Sequence, residues 1–211
     1  MIKIGKVPIL SHIMRIFKFY GFDEFIIAGG YKINVIKKYY KNSKEFKDIK
    51  IIFTGQNTMT GGRILRLKKY LKDEENFFMT YGDAVSNIDL KKLFNFHKKN
   101  KKVATITAVR PPVKFGELKI NNDFIVKSFI EKPKVDMGWI NGGFFVLNKK
   151  IFSYIEKYST VFEREPLSKL VNIKQLIAYK HSRHWMCMDN MSEKKQLEAI
   201  YKKYKTIWQI K

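Results

Sequence analysis

Short apolar runs alternate along this chain with stretches whose apolar residues recur at helical spacing. That alternation restricts the fold more than any other feature. Runs at 24–28, 49–53, 77–81 and 103–109 are rich in Ile, Val and Phe and have the length of buried strands. Between them, 33–40, 62–71 and 90–99 carry helix-period patterns. Parallel strands need a crossover long enough to hold a helix, so the order predicts βαβ units and a mainly parallel sheet. Upstream, Pro8 takes a first-turn position in a helix running to about 20, with Gly21 as its stop. Ile9, Leu10, Ile13, Met14 and Phe17 form its apolar face.

After Pro111-Pro112 the rhythm changes. Residues 116–120 and 124–130 read as a hairpin turned at Asn121-Asn122-Asp123, and 139–147 as a strand interrupted by Gly142-Gly143. Helices are predicted at 149–158 and 163–171, and short strands at 176–179 and 184–188. Ser192 is the expected cap of a last helix to about 204. No repeat or flexible linker divides the 211 residues, so the expectation is one α/β domain with a β-rich second half.

An apolar fraction of 45% excludes disorder as the main state, and no apolar stretch is long enough to span a bilayer. Cys187 is the only cysteine, which excludes an intrachain disulfide and fits a reducing, cytoplasmic setting. The formal net charge of +23 at first suggests nucleic acid or an anionic membrane. Only six of the 42 basic residues are arginine, however, and the lysines are spread over the whole chain. No base-reading cluster or nucleic-acid motif accompanies them. The reading is therefore no dedicated nucleic-acid or membrane partner, but a positive field that attracts polyanionic small molecules such as nucleotides.

Tyr81-Gly82-Asp83 closes the run at 77–81. A glycine and then a carboxylate at a strand end is where α/β proteins place ligand chemistry, because the strand fixes the carboxylate and the glycine leaves room beside the backbone. Asp83 then holds a divalent metal or a sugar hydroxyl; the other reading makes it a turn cap ahead of a helix whose N-cap is Asn87 or Asp89. Asp189, after Trp185-Met186-Cys187-Met188, is a second acid at a strand end and either shares a magnesium ion with Asp83 or starts a turn. No glycine-rich phosphate loop of either common spacing follows the first strand. Met59-Thr60-Gly61-Gly62-Arg63 is the better nucleotide candidate, with an ordinary helix start as its alternative. Asn141-Gly142-Gly143 marks a close approach of ligand or backbone inside a strand. Glu131 and Lys132 could meet sugar hydroxyls and a sugar phosphate. His12, His97, His181 and His184 lack metal-ligand spacing and read as structural or surface residues.

Taken together, these segments resemble sugar-phosphate nucleotidylyltransferases, the cytidylyl-transferring members above all. The likeness runs in order through Ile4-Gly5, residues 8–14, 28–32 and 59–63, Thr80-Tyr81-Gly82-Asp83, Phe115-Gly116, Glu131-Lys132-Pro133, 140–146, 163–167 and Met188-Asp189. It implies a Rossmann-like sheet with a sugar-binding half, and a reaction of CTP with glucose 1-phosphate giving CDP-glucose and pyrophosphate. It further implies Mg²⁺ held by Asp83 and Asp189, Thr60, Gly61, Gly62 and Arg63 at the nucleotide, and Gly116, Glu131, Lys132 and Asn141 at the sugar phosphate. Lys132 joins the two aspartates as a catalytic residue, and a homo-oligomer is an open expectation.

The family's opening strand and its glycine-rich loop ending in Gly-Thr-Arg have no counterpart here. The resemblance therefore predicts a truncated start, an open slot in the sheet and impaired turnover. Two alternatives stand beside the transferase. One is an inactive or regulatory remnant of the same fold. The other is a metal-dependent glycosyltransferase, disfavoured because that class carries two aspartates one residue apart, where this chain has Asp83-Ala84-Val85.

Overall fold

The computed structural model describes residues 1–111, 117–130 and 138–206. It opens with a two-residue pair, β1 (Lys3–Ile4) and β2 (Val7–Pro8), that leads into α1 (Ile9–Phe19). There follow β3 (Phe25–Gly29), α2 (Ile33–Tyr40), β4 (Ile49–Phe53), α3 (Thr60–Arg66), β5 (Asn76–Thr80), β6 (Ala84–Ser86), α4 (Leu90–Asn100) and β7 (Ala104–Val109). The second half holds β8 (Glu117–Ile120), β9 (Val126–Ile130), β10 (Ile140–Asn148), α5 (Glu165–Asn172), β11 (Leu176–His181), β12 (Trp185–Cys187) and α6 (Met191–Tyr204).

The principal sheet has the order β11-β7-β10-β5. β11 is parallel to β7, while β10 is antiparallel to both β7 and β5. Strand alternation sends successive β10 side chains to opposite faces. Phe144 and Val146 enter a core with Ile13, Phe17 and Leu93, from α1 and α4. Phe145 and Leu147 enter a second core with Ile151, Phe162 and Leu170. All four β10 side chains are fully buried, which explains an unbroken apolar run where a half-exposed strand would alternate. β5 repeats the arrangement: Phe78 meets Phe17 and Phe22 on one face, and Phe77 stacks on Phe152 on the other.

β3 and β4 form a separate parallel pair. Helix α1 covers both pieces, with Met14 over the β3–β4 side and Phe17 over β5. Among the described residues no backbone hydrogen bond joins β3 to β5. The β3–β4 pair is thus separate from the four-stranded sheet.

Several boundaries differ from the sequence-based expectations. The stretch at 62–71 becomes α3 and a separate 3₁₀ turn, Lys68–Tyr70. The helix expected at 149–158 is a 3₁₀ segment, Lys149–Tyr154, capped by Asn148. Asp89 does cap α4, its side chain accepting from Lys92 N. The cap of α6 is Asn190, not Ser192: Asn190 accepts from Glu193 N, which places Ser192 inside the first turn. β6 has no counterpart among the expected strands.

Three histidines are built into the cores. His97 bridges α4 to β7 and β5 through Thr105 Oγ1 at 2.8 Å and Asn76 Oδ1 at 3.0 Å. The Asn76 oxygen only accepts, so Nε2 carries the proton and Nδ1 accepts from Thr105. Burial lowers the pKa of His12, His97 and His181 below the usual 6.5. An unfolded histidine titrates near 6.5, so this part of the stability is complete above that pH. It is lost as pH falls from there toward the depressed folded values. The melting temperature should therefore decline between pH 7.5 and pH 5.5 (about the range set by that titration), with a shallower slope in His97→Gln. A flat profile in the parent chain would contradict neutral burial of these rings.

Candidate active site

Three strand ends converge at one edge of the principal sheet. β5 ends at Thr80, the chain passes Tyr81 and Gly82, and Asp83 leads directly into β6. β6 pairs antiparallel with β12, Ala84 opposite Cys187, and Met188 N donates to Asp83 O at 2.9 Å. That pairing sets Asp189 beside Asp83. Burial raises the Asp83 pKa, and the negative charge of Asp189 raises it further. Two carboxylates held together in this way form a hard, oxygen-only donor set suited to a divalent cation such as Mg²⁺. Asp89 supplies the α4 cap, as the turn-cap reading of Asp83 also expects.

Asp189 also touches the groups behind it. Its N–H donates to Glu193 Oε2 at 2.6 Å, and Cys187 Sγ approaches its Oδ2 at 3.4 Å. Cys187, Asp189 and Glu193 thus have their donor atoms within 4.8 Å of one another. Glu193 is occupied in capping α6, and the Cys187 thiol is pushed up to about 11, chiefly by burial. A thiol that stays protonated at neutral pH is a poor nucleophile.

The glycines of β10 shape the other wall. Between Asn141 and Phe145 the register with β7 shifts, and Gly143 adopts φ +76°, a conformation open to glycine. The bulge turns Asn141 so that its Oδ1 accepts from Gly143 N at 2.8 Å. Trp185 Nε1 donates to Gly142 O at 2.7 Å, tying β12 to the bulge. Asp83, Asp189 and Asn141 are therefore fixed relative to one another by backbone.

The sequence assigned no role to the side chains of Tyr81, Glu163 or Trp185. The Tyr81 hydroxyl donates to Glu163 Oε1, while Thr60 Oγ1 donates to Glu163 Oε2 at 2.7 Å. Burial, and then Glu163, raise the Tyr81 pKa well above its ordinary value. The signal for Glu163 was present in the segment at 163–167 that carries the resemblance, but nothing in the sequence says that it reaches Tyr81.

Thr60, Gly61, Gly62 and Arg63 form the first turn of α3. A Cβ on Gly62 would lie 1.9 Å from Tyr158 O, and one on Gly61 2.8 Å from Thr160 O. Close packing of α3 on the 158–162 segment accounts for both glycines. Arg63 reaches Thr54 Oγ1 at 2.8 Å and Gly55 O at 3.1 Å, holding the loop after β4. Gly82 is different: a Cβ there would meet nothing within 4 Å, so packing does not require it. Gly116, Glu131 and Lys132 lie outside the described residues.

Two tests follow from this geometry. Gly62→Ala forces a backbone shift costing about 2–3 kcal/mol, or roughly 5–10 °C in melting temperature. Gly82→Ala leaves the melt unchanged, and equal losses at the two positions would refute the distinction. Asp83→Asn removes one of two repelling charges and should stabilise the metal-free protein by about 0.5 kcal/mol at these partly solvated groups. If these carboxylates hold Mg²⁺, millimolar Mg²⁺ should raise the melting temperature of the parent chain by binding its folded state, and that gain should be absent from Asp83→Asn.

Comparison with known proteins gives the family of the chain. The Nucleotidyl transferase family model matches residues 1–201. Glucose-1-phosphate cytidylyltransferase of Salmonella typhimurium is 40% identical over 230 residues, covering 99% of this chain and 89% of that protein. A probable glucose-1-phosphate cytidylyltransferase of Bacillus subtilis is 36% identical over 229 residues, covering 98% and 89%. Among solved structures, HddC from Yersinia pseudotuberculosis superposes with a TM-score of 0.76 at 23% identity, over 95% of this chain and 88% of that one. At that identity the superposition speaks for the shared α/β fold, while the family match and the 40% identity reach further: this chain is a member of the nucleotidyl transferase family, and its relatives are sugar-phosphate nucleotidylyltransferases.

Proposed function

We propose that the chain transfers a cytidylyl group from CTP to glucose 1-phosphate, giving CDP-glucose and pyrophosphate. The observation that carries this reading is the pairing of β6 with β12, which brings Asp83 and Asp189 to one edge in a relative of cytidylyltransferases. A phosphate oxygen of glucose 1-phosphate attacks the α-phosphorus of CTP in line. The new P–O bond forms as the bond to the β-phosphate oxygen breaks, and pyrophosphate leaves with the electron pair. No protein nucleophile is required, which agrees with the protonated state of Cys187.

Asp83 and Asp189 would hold Mg²⁺, which when bound offsets negative charge on the phosphates. The α3 turn from Thr60 to Arg63 would flank the nucleotide, with Arg63 keeping the Thr54–Gly55 loop in place. Asn141 would meet the sugar phosphate together with Gly116, Glu131 and Lys132, and Lys132 would neutralise its charge. The divided sheet beside β5 supports slow turnover by the 211 residues alone, because the floor next to the site is discontinuous. A decayed, purely binding role is the second reading that this same division favours.

The test is pyrophosphate release with glucose 1-phosphate and each of CTP, GTP, UTP and dTTP. CTP should be preferred by at least about tenfold, and Asp83→Asn or Asp189→Asn should each cut the rate by roughly 100-fold. Preference for another nucleotide would overturn the cytidylyl assignment. Binding of CTP and glucose 1-phosphate with no release at any enzyme concentration would establish the second reading.

A further inference from the structure

The β3–β4 pair shares no ladder with the principal sheet, so sheet hydrogen bonds do not fix α3, which follows β4, relative to the strand that leads to Asp83. Other bonds do so. Met59 N donates to Tyr158 O and Gly62 N to Thr160 O, both at 3.2 Å, which makes the start of α3 and the 158–162 segment one block. Phe162 N adds a bond to Thr60 Oγ1 at 2.9 Å. Glu163 stands at the edge of this block and joins it to the end of β5. Its Oε2 accepts from Thr60 Oγ1 at 2.7 Å, and its Oε1 accepts from the Tyr81 hydroxyl. Among the described residues Glu163 makes no ion pair, so both oxygens serve these two neutral hydroxyls. Tyr81 is itself a firm post. Its ring fills the space over Gly143, where an added Cβ would lie 2.9 Å from Tyr81 Cδ2, and it meets Phe145 edge-on with centroids 6.0 Å apart.

We propose that Glu163 is a positioning residue that braces the α3 turn against the Tyr81 end of β5, and so fixes the spacing between nucleotide and metal ion. The inference rests on the placements made above, with the nucleotide at Thr60 to Arg63 and Mg²⁺ at Asp83 and Asp189. A nucleoside triphosphate has a limited reach from its base and ribose to its phosphates. Held at α3, it brings those phosphates to the metal only if the turn and the acids keep their distance. The brace acts two residues before Asp83, whose backbone oxygen is held from the other side by Met188 N at 2.9 Å. Glu163 and Tyr81 need touch neither ligand. With the brace intact, metal and nucleotide each find the other's binding groups in place, which is a favourable coupling between them. Without it each binds its own half of the site, and the coupling is lost.

Calorimetric titration with CTP, in excess EDTA and again in millimolar Mg²⁺, reads this coupling as the ratio of two affinities. No sugar phosphate is present, so CTP is not consumed. The parent chain should bind CTP about tenfold tighter with Mg²⁺, and Asp83→Asn should remove that gain. Glu163→Ala and Tyr81→Phe should each bring the gain down to about two- to threefold, while CTP affinity in EDTA stays within about twofold of the parent's. Glu163→Gln can still accept from Tyr81 and can donate to Thr60, so it should keep the parent's gain. Thermal melts accompany every variant, and Tyr81→Phe, which retains the ring packing, carries the test if Glu163→Ala does not fold. A full gain in Glu163→Ala and Tyr81→Phe, with none in Asp83→Asn, would overturn the brace and leave the metal assignment standing. Equal weakening with and without Mg²⁺, in step with a lowered melting temperature, would also overturn it, because Glu163 would then be a structural clamp. No gain in the parent chain, or a gain that survives in Asp83→Asn, would remove the metal placement itself, and the brace with it.

Discussion

The burial of β10 on both faces is the constraint on which the rest of the structure depends. Phe144 and Val146 on one side and Phe145 and Leu147 on the other are each sealed from solvent. Fully burying such side chains stabilises by about 1.5–3 kcal/mol apiece, which is large against a typical net stability of about 5–15 kcal/mol. Because both neighbours hydrogen-bond to β10, its position sets theirs, and the end of β5 that bears Tyr81 is carried to a defined place. The site begins where this packing stops. At Gly142-Gly143 the ladder breaks register, and the chain exchanges regular pairing for the turn that orients Asn141.

Short-range features then complete what the core begins. β6 and β12 are three-residue strands that could not persist alone. They are held by each other, by the Trp185 bond to Gly142 O and by the Met188 bond to Asp83 O. Asn190 and Glu193 cap α6 immediately beyond Asp189, so the helix start and the acidic residue share one set of bonds. The carboxylates thus stand on backbone anchored from two directions rather than on free loops.

Periodic features were legible in the sequence, and pairwise contacts were not. α2 and β4 lie where their patterns place them, because Ile33 to Tyr40 and Ile49 to Phe53 each satisfy one period along their whole length. The last helix was visible in the sequence, but its cap was misplaced by two residues, since Asn190 and Ser192 are both good caps and only the structure shows which accepts from Glu193 N. β6 escaped notice because Ala84-Val85-Ser86 is too short to display a period and exists only through its partner. The Gly61-Gly62 pair invited a ligand explanation, yet the nearest atoms are the carbonyls of Thr160 and Tyr158, residues a hundred positions away in the chain and invisible to any local window. Asp83 and Asp189 could be named from their strand ends, but their closeness is a property of the β6–β12 ladder.

Magnitudes explain why two like charges can be held in that position at all. Repulsion between carboxylates that water still reaches is modest, about 0.5–1 kcal/mol. Each intramolecular hydrogen bond that fixes the surrounding backbone contributes about 1 kcal/mol net, and several act here: the β6–β12 ladder, Trp185 to Gly142, Met188 to Asp83 and the two caps of α6. The scaffold therefore outweighs the strain it imposes on the acids. The repulsion is not relaxed by moving the strands apart, and it shows instead as an elevated Asp83 pKa. A cation arriving between the two carboxylates would meet ligands already in place, with little of its binding energy spent on ordering them.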